Sequence, residues 1–421
     1  MNREEIYHSD VIFNGGRVMN INDCAVEFPE FYSAWTRFYR ENMSDEFILV
    51  SDCDYGKSAF YNTLYSLDIS NARAHLICQL NNPDDDISIY NAPIRIKNMI
   101  YFVPYIGHEW KIYDTKSGEI KVNQIPKDIL PDNRVYIKTW KCINNSIVFL
   151  PGDIGKLVKL DIKTENISYH DCLKNFSSEK NNLDISAVTP YNDCLLLFMY
   201  NSNLVYKLRT DDMSITEVFK LDKNYFGTRS AIHIPGTEYV FLIENNALKN
   251  EGNLRVIYKW NVESSNFERI DNLPTNPIVE STKNLFSGFN YYNGDLYVIP
   301  EQTDCFIKLN IQSNLATRIE IDTGHKLLER SDPFYRRWGD GIAFPHIIYN
   351  VRNNKLMATI PYDYSIAEID FEKKELVNKQ KWIVDGIEAL IKNSMMKKTN
   401  NMYWESYAFS INDYIQELIK E

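Results

Sequence analysis

No run in this chain approaches the about 18 uncharged apolar residues that a membrane-crossing helix needs, so no membrane span is expected. The glycine-rich phosphate loops, the HExxH pair and the Ser-His-Asp order of common catalysts are also missing. Basic runs are absent too. Arg336-Arg337 and Lys397-Lys398 are isolated pairs in a chain of net charge −11, which argues against a nucleic-acid partner. The seven cysteines, Cys24, Cys53, Cys78, Cys142, Cys172, Cys194 and Cys305, are odd in number and show no CxxC spacing. They fit free thiols in a reducing compartment, with neither a disulfide framework nor a metal cluster. The first residues, MNREEIYHSD, contain no apolar core of a secretory signal. These features lead us to expect a cytoplasmic protein with no cofactor. Richness in Asn, Ile and Lys fits an AT-rich bacterial genome.

What is present is a repeat. Four stretches align closely: residues 101–120, 148–167, 297–319 and 358–376. In each, an apolar run ends in a proline (Pro104, Pro151, Pro300, Pro361), and the next run ends in Asp114, Asp161, Asn310 or Asp370. The spacings from proline to Asp or Asn are 10, 10, 10 and 9 residues. Three further copies, 47–80, 195–219 and 239–270, keep the short apolar runs and lose the proline. The seven units begin near positions 47, 100, 147, 195, 239, 296 and 356, at intervals of 44 to 60 residues. A period of this size built from short strands is the mark of β-propeller blades, each a four-stranded sheet.

A fourth strand is expected before each unit, at residues 34–40, 92–97, 136–142, 185–190, 230–235, 286–292 and 342–349. Turn dipeptides such as Asn192-Asp193, Pro235-Gly236 and Asn293-Gly294 follow several of them, and these residues tolerate the positive φ of tight hairpins. Small residues open most of these strands, among them Ala92, Ser186-Ala187, Ser230-Ala231 and Ser287-Gly288. That suits an innermost strand beside a narrow axis. The expected fold is therefore all-β: a seven-bladed propeller over residues 34–384, with six blades as the alternative. Residues 1–33 either supply a ring-closing strand or form a capping hairpin through the Asn-Gly-Gly of 14–16. Residues 385–421 carry two apolar stripes of helical spacing and read as a short C-terminal helical extension packed on the propeller. The longest irregular stretch is 323–341, and long loops of this kind are frequently functional.

The blades, with an IYFVP-like strand leading through a loop to a strand ending in Asp, resemble small bacterial propellers of the virginiamycin B lyase-like kind. They lack the Gly-His and Trp-Asp marks of WD40 repeats and the paired glycines of kelch repeats. The resemblance implies that two loop sets share one face: those entering the inner strands and those joining the second and third strands. Candidate ligand-binding residues on that face are Arg95, His108, Arg229, Arg336, Arg337, Trp338, Asp340 and His346. Lys138, Tyr200 and Glu244 map to the same face. Arginine forks grip carboxylate or phosphate, and aromatic rings stack on sugars or peptides.

Two functional readings follow. One is a binding or scaffold module for a small polar ligand, glycan or peptide, or for a protein partner. The other is a lyase or hydrolase with its site on the axis of that face. Fold alone does not choose between them.

Overall fold

The computed structural model describes residues 11–14, 17–20, 47–50, 63–68, 71, 73–80, 89–90, 94–106, 109–125, 137–143, 146–151, 157–172, 185–245, 255–276, 285–292, 294–300, 303, 305–321, 346–350, 355–360, 365–381 and 383–385. Every strand in this set belongs to a sheet of two or four strands. Seven of the sheets are four-stranded. The third to seventh are meanders of consecutive strands, which is the blade motif of β-propellers; the second has the same antiparallel order, but between its second and third strands Pro104–Ile106 leaves to pair with Ile89–Tyr90. Their first strands are Ile94–Ile96, Ile137–Ile143, Ile185–Tyr191, Thr228–His233, Phe286–Tyr292 and His346–Asn350. The expected strand at 34–40 and the expected C-terminal helices from 386 on lie outside the described residues; Asp385, expected to open the helical extension, instead ends a strand.

The first sheet is put together differently. Phe47–Val50, Thr63–Asp68 and Arg73–Gln79 are joined by Ile383–Asp385, which runs parallel to the third of them with Val384 opposite Ala74. At the other end of the chain, Val11–Asn14 pairs with Arg17–Asn20 in a hairpin of its own.

The chain divides into two compact units. One contains the first and second sheets and most of the seventh. Its core joins Leu64 and Leu80 to Tyr90, Ile100 and Phe102. The other unit contains the third to sixth sheets and the 370–375 turn.

In this second unit the sheets pack face to face in sequence order. Val148 and Leu157 of the third sheet meet Leu195 and Leu197 of the fourth. Leu196 and Phe198 meet Leu242 and Trp260 of the fifth. Phe241 and Ile243 meet Phe289 and Val298 of the sixth. The second strand of each sheet is buried on both faces, as Cys194–Met199 and Tyr239–Glu244 show. The fourth strands are the exposed edges, Ser214–Lys220 among them. Trp260 sits edge-on to Phe219 with ring centroids 4.9 Å apart. Burying a large apolar side chain of this kind stabilises by about 1.5–3 kcal/mol.

The recurring Asp or Asn has a local cause. At the turn between third and fourth strands its side-chain oxygen accepts backbone N–H groups two and three residues on: Lys163 and Thr164 at Asp161, Gln312 and Ser313 at Asn310, Glu372 and Lys373 at Asp370. Asp114 and Asn261 accept one such N–H each, from Lys116 and Ser264, and four residues after each of the five caps the chain turns left-handed, at Gly118 (φ 73°), Glu165 (57°), Ser265 (58°), Asn314 (58°) and Lys374 (60°). The repeated carboxylate is thus a turn-former.

Further polar contacts tie neighbouring sheets of the second unit. Lys159 of the third sheet donates to the carbonyls of Thr210 (2.6 Å) and Asp211 in the turn of the fourth. Two sheets on, Lys259 donates to Ile311 O (2.7 Å) and Asn314 Oδ1 in the turn of the sixth. Between them the Tyr191 hydroxyl donates to Glu263.

Candidate functional site

The sequence candidates are spread over both units. Arg95 lies on Ile94–Ile96, exposed, and its Nε donates to the Lys97 carbonyl at 3.1 Å. His346 opens the first strand of the seventh sheet, opposite Thr359. Both belong to the first unit, whereas Arg229, on Thr228–His233, belongs to the second. His108, Arg336, Arg337, Trp338 and Asp340 lie outside the described residues.

Around Arg229 the second unit repeats one irregularity. In the third to sixth sheets the pairing of the first strand with the second slips by one residue near its start. The slips fall between Ile137 and Thr139, Ile185 and Ala187, Thr228 and Ser230, and Phe286 and Gly288. The extra residues are Lys138, Ser186, Arg229 and Ser287. A β-bulge leaves its extra residue outside the ladder, bends the strand and re-aims a side chain. Four bulges at one register therefore place four residues at equivalent points on one end of four neighbouring sheets. The first strands also touch in sequence order. The Ser186 hydroxyl reaches across to donate to the carbonyl of Thr228, the residue before Arg229. Of the serines noted in the sequence as small axial residues, Ser186 and Ser287 are thus bulge residues, whereas Ser230 pairs with Ile243.

The fifth sheet departs furthest from its neighbours here. Opposite the residue before each bulge stand Pro151, Met199 and Pro300 in the third, fourth and sixth sheets, and Glu244 in the fifth. Glu244 is 2% exposed. Its Oε1 accepts the Phe226 N–H at 2.8 Å and its Oε2 accepts the Tyr258 hydroxyl at 3.0 Å. Burial, reinforced by this carboxylate, raises the Tyr258 phenol far above the ordinary tyrosine range, and burial does the same to Tyr225. Both therefore stay protonated. The Tyr225 and Thr228 hydroxyls lie 2.9 Å apart.

The segment ahead of the fifth sheet is pinned by these contacts. Asn245 N donates to Gly227 O at 2.9 Å, and its side-chain amide donates to Tyr200 O at 3.1 Å. A Cβ at Gly227 would come within 2.1 Å of that same Tyr200 oxygen. Phe226, between the two pinned residues, is 44% exposed. The outcome is a rigid platform with an aromatic ring at its surface and Arg229, only partly buried, close by in sequence.

Comparisons with known proteins leave the chain without a family. No family model matches it, and no curated protein does. Among solved structures it is similar to the WD40 repeats of RRP9, at 9% identity and TM-score 0.37, over 56% of this chain and 60% of that one. It is similar to a chain of the mitotic checkpoint complex at 10% identity and TM-score 0.43, over 67% of this chain and 75% of that one. For dihydro-heme d1 dehydrogenase NirN the values are 11% and 0.42, over 67% of this chain and 53% of that one. This chain thus spans less than two thirds of the first and third of these. Likeness of this degree says nothing about function, and the propeller-type architecture is read from the sheets themselves.

Among the described residues no group of three or more His, Cys, Asp or Glu is placed to hold a metal ion. No described helix is long and apolar enough to cross a membrane. Cys78, Cys172, Cys194 and Cys305 are free thiols.

The bulge register was invisible in the sequence, because one extra residue leaves the apolar pattern of the first strands almost unchanged. Glu244, by contrast, was legible and mapped to the candidate face. It interrupts the proline position in an otherwise apolar strand, YVFLIE.

Proposed function

We propose that the protein is a seven-bladed β-propeller that acts as a recognition module and holds a small polar ligand at the bulged end of its inner strands. In this reading residues 34–384 form the propeller, residues 1–33 and 385–421 pack against it, and the protein works in the bacterial cytoplasm. The supporting observation is the bulge at one register in four consecutive sheets, tied from Ser186 to Thr228. Bulges are over-represented next to active sites, where they re-aim a side chain, and here Ser186 and Arg229 are the bulge residues of two adjacent sheets. Glu244 supports recognition over catalysis. Each of its oxygens already accepts a hydrogen bond from the protein, so the carboxylate acts as a strut.

Oligosaccharide and peptide arrays screened with wild type and Arg229→Ala test this reading. It requires at least one array member that wild type binds without converting it and that Arg229→Ala fails to bind at an unchanged melting temperature. Conversion of a bound member to product, or binding indifferent to Arg229, overturns it.

A further inference from the structure

The segment 221–227, which leads into the first strand of the fifth sheet, buries its large apolar side chains with one exception. Leu221 and Tyr225 are buried, whereas Phe226 is 44% exposed. Tyr225 meets Tyr258 and Phe267 edge-on, with ring centroids 4.9 and 5.4 Å apart. The Phe226 ring joins no such contact among the described residues. We infer that Phe226 is a stacking platform for an uncharged sugar, the pyranose ring of a glycan. The inference rests on the recognition reading above and names its ligand class and the side chain that reads it.

Three observations carry it. First, the backbone under the ring is fixed on both sides. The Phe226 N–H donates to Glu244 at 2.8 Å, and the Asn245 N–H donates to Gly227 O at 2.9 Å. Upstream, the Asn203 amide donates to the carbonyls of Leu221 (3.0 Å) and Asp222 (3.1 Å), and the Tyr225 N–H donates to Asp222 O at 3.0 Å. A ring presented on so fixed a backbone loses little conformational entropy when it binds. Second, the group that holds it is an expensive one. The positions equivalent to Glu244 in the third, fourth and sixth sheets carry Pro151, Met199 and Pro300. A buried carboxylate is costlier to place than any of these, and among the third to sixth sheets only the fifth carries one there. Third, the surroundings suit a small amphipathic ligand. The exposed large hydrophobics of the described residues, Val122, Val218, Phe226, Tyr291 and Leu315, lie on separate elements, whereas a standard protein interface needs about 800 Å² per partner around an apolar core. Beside Phe226 in the chain, Asp222, Lys223 and Asn224 are exposed. Exposed Asn201 is also close, its backbone N 3.0 Å from where a Gly227 Cβ would sit. A pyranose carries C–H groups on one face and hydroxyls around its rim. The C–H face suits the negative face of an aromatic ring, and the rim suits a border of carboxylate, ammonium and amide groups.

An array of neutral oligosaccharides, with cellohexaose, maltohexaose and chitohexaose among its members, tests the assignment when screened with the full chain beside a peptide array. Isothermal titration then gives the affinity of the best sugar. Phe226→Ala and Phe226→Leu should each weaken it about ten-fold or more, and Phe226→Trp should keep or strengthen it. Leucine keeps the apolar bulk and loses the π face, so it separates stacking from plain burial. Tyr291→Ala, at another exposed aromatic, should leave the affinity unchanged. The melting temperature of each Phe226 variant should match wild type. A clear drop in both Phe226→Ala and Phe226→Leu would make the ring a packing residue and overturn the platform. Sugar binding indifferent to all three Phe226 variants also overturns it, and if that binding still needs Arg229 the recognition reading stands. Peptide binding through Phe226, with no sugar bound, overturns the sugar class and leaves the recognition reading standing. No member of either array bound by wild type overturns both.

Discussion

The hydroxyl of Ser186 donates a hydrogen bond to the backbone carbonyl of Thr228, joining the bulge of the fourth sheet to that of the fifth. Removing it leaves a partly buried carbonyl short of a donor and frees the backbone beside Arg229. Ser186→Ala should therefore destabilise by about 1 kcal/mol in urea denaturation and weaken ligand binding more than that loss accounts for. A binding change with no stability change would place Ser186 in direct contact with ligand.

Glu244 should behave as a strut. Glu244→Ala orphans the Phe226 N–H and the buried Tyr258 hydroxyl, and each unsatisfied buried group costs about 1–3 kcal/mol. A total loss near 2–4 kcal/mol is expected by chemical denaturation. Glu244→Gln keeps an acceptor for Phe226 and can repair the Tyr258 contact by reorienting the hydroxyl, so its loss should be well under half of that.

Gly227 is required for close approach. An added methyl would meet the Tyr200 carbonyl at 2.1 Å, and neither backbone moves freely while Asn245 clasps both. Gly227→Ala should cost about 2 kcal/mol or more, as overpacking does. Gly236→Ala is the comparison. That glycine has open space around it but a left-handed φ of 76°, so its cost is confined to backbone strain.

Acid should unpick the turns. Hydrogen bonds from Thr164 hold Asp161 below the ordinary aspartate range, the Lys373 N–H does the same for Asp370, and the Arg209 guanidinium holds Asp212 lower still. A carboxylate whose pKa is lower folded than unfolded stabilises fully above the unfolded value of about 3.9, and this is lost as pH falls through the folded value. The melting temperature should therefore drop below about pH 4. The drop should be shallower in the Asp161→Asn, Asp370→Asn double variant, because Asn already caps the turns at Asn261 and Asn310.

How much of this was legible beforehand follows from the range of each interaction. The turn after Asp161 is made within a few residues, so its Asp recurred visibly in the sequence. Pro151 and Pro300 recurred because each ends a second strand opposite the start of a first strand. The lysines Lys159 and Lys259 were not singled out. Each reaches a carbonyl more than 50 positions away, 51 for Lys159 to Thr210 and 52 for Lys259 to Ile311, and a carbonyl has no residue signature. The pairing of Val384 with Ala74 joins opposite ends of the chain through backbone groups and was equally silent. Of the candidate site, Arg229 and Glu244 were named from their place in the repeat. The bulge that gives Arg229 its position could only be seen as register.

Loss of the parallel strand should expose the edge of Arg73–Gln79. Ile383→Pro removes one ladder donor and fixes φ, so it should lower the melting temperature, with increased hydrogen exchange at Arg73–His75. Unchanged exchange there would mean that Ile383–Asp385 contributes nothing to the first sheet.

The most direct test of the account is hydrogen–deuterium exchange of the full chain, free and saturated with an array-selected ligand. Recognition at the bulged end predicts new protection at Ile185–Ala187, Phe226–Ser230 and Glu244–Asn245, with the outer strand Ser214–Lys220 unchanged. Protection confined to Ser214–Lys220 and the other fourth strands would contradict it.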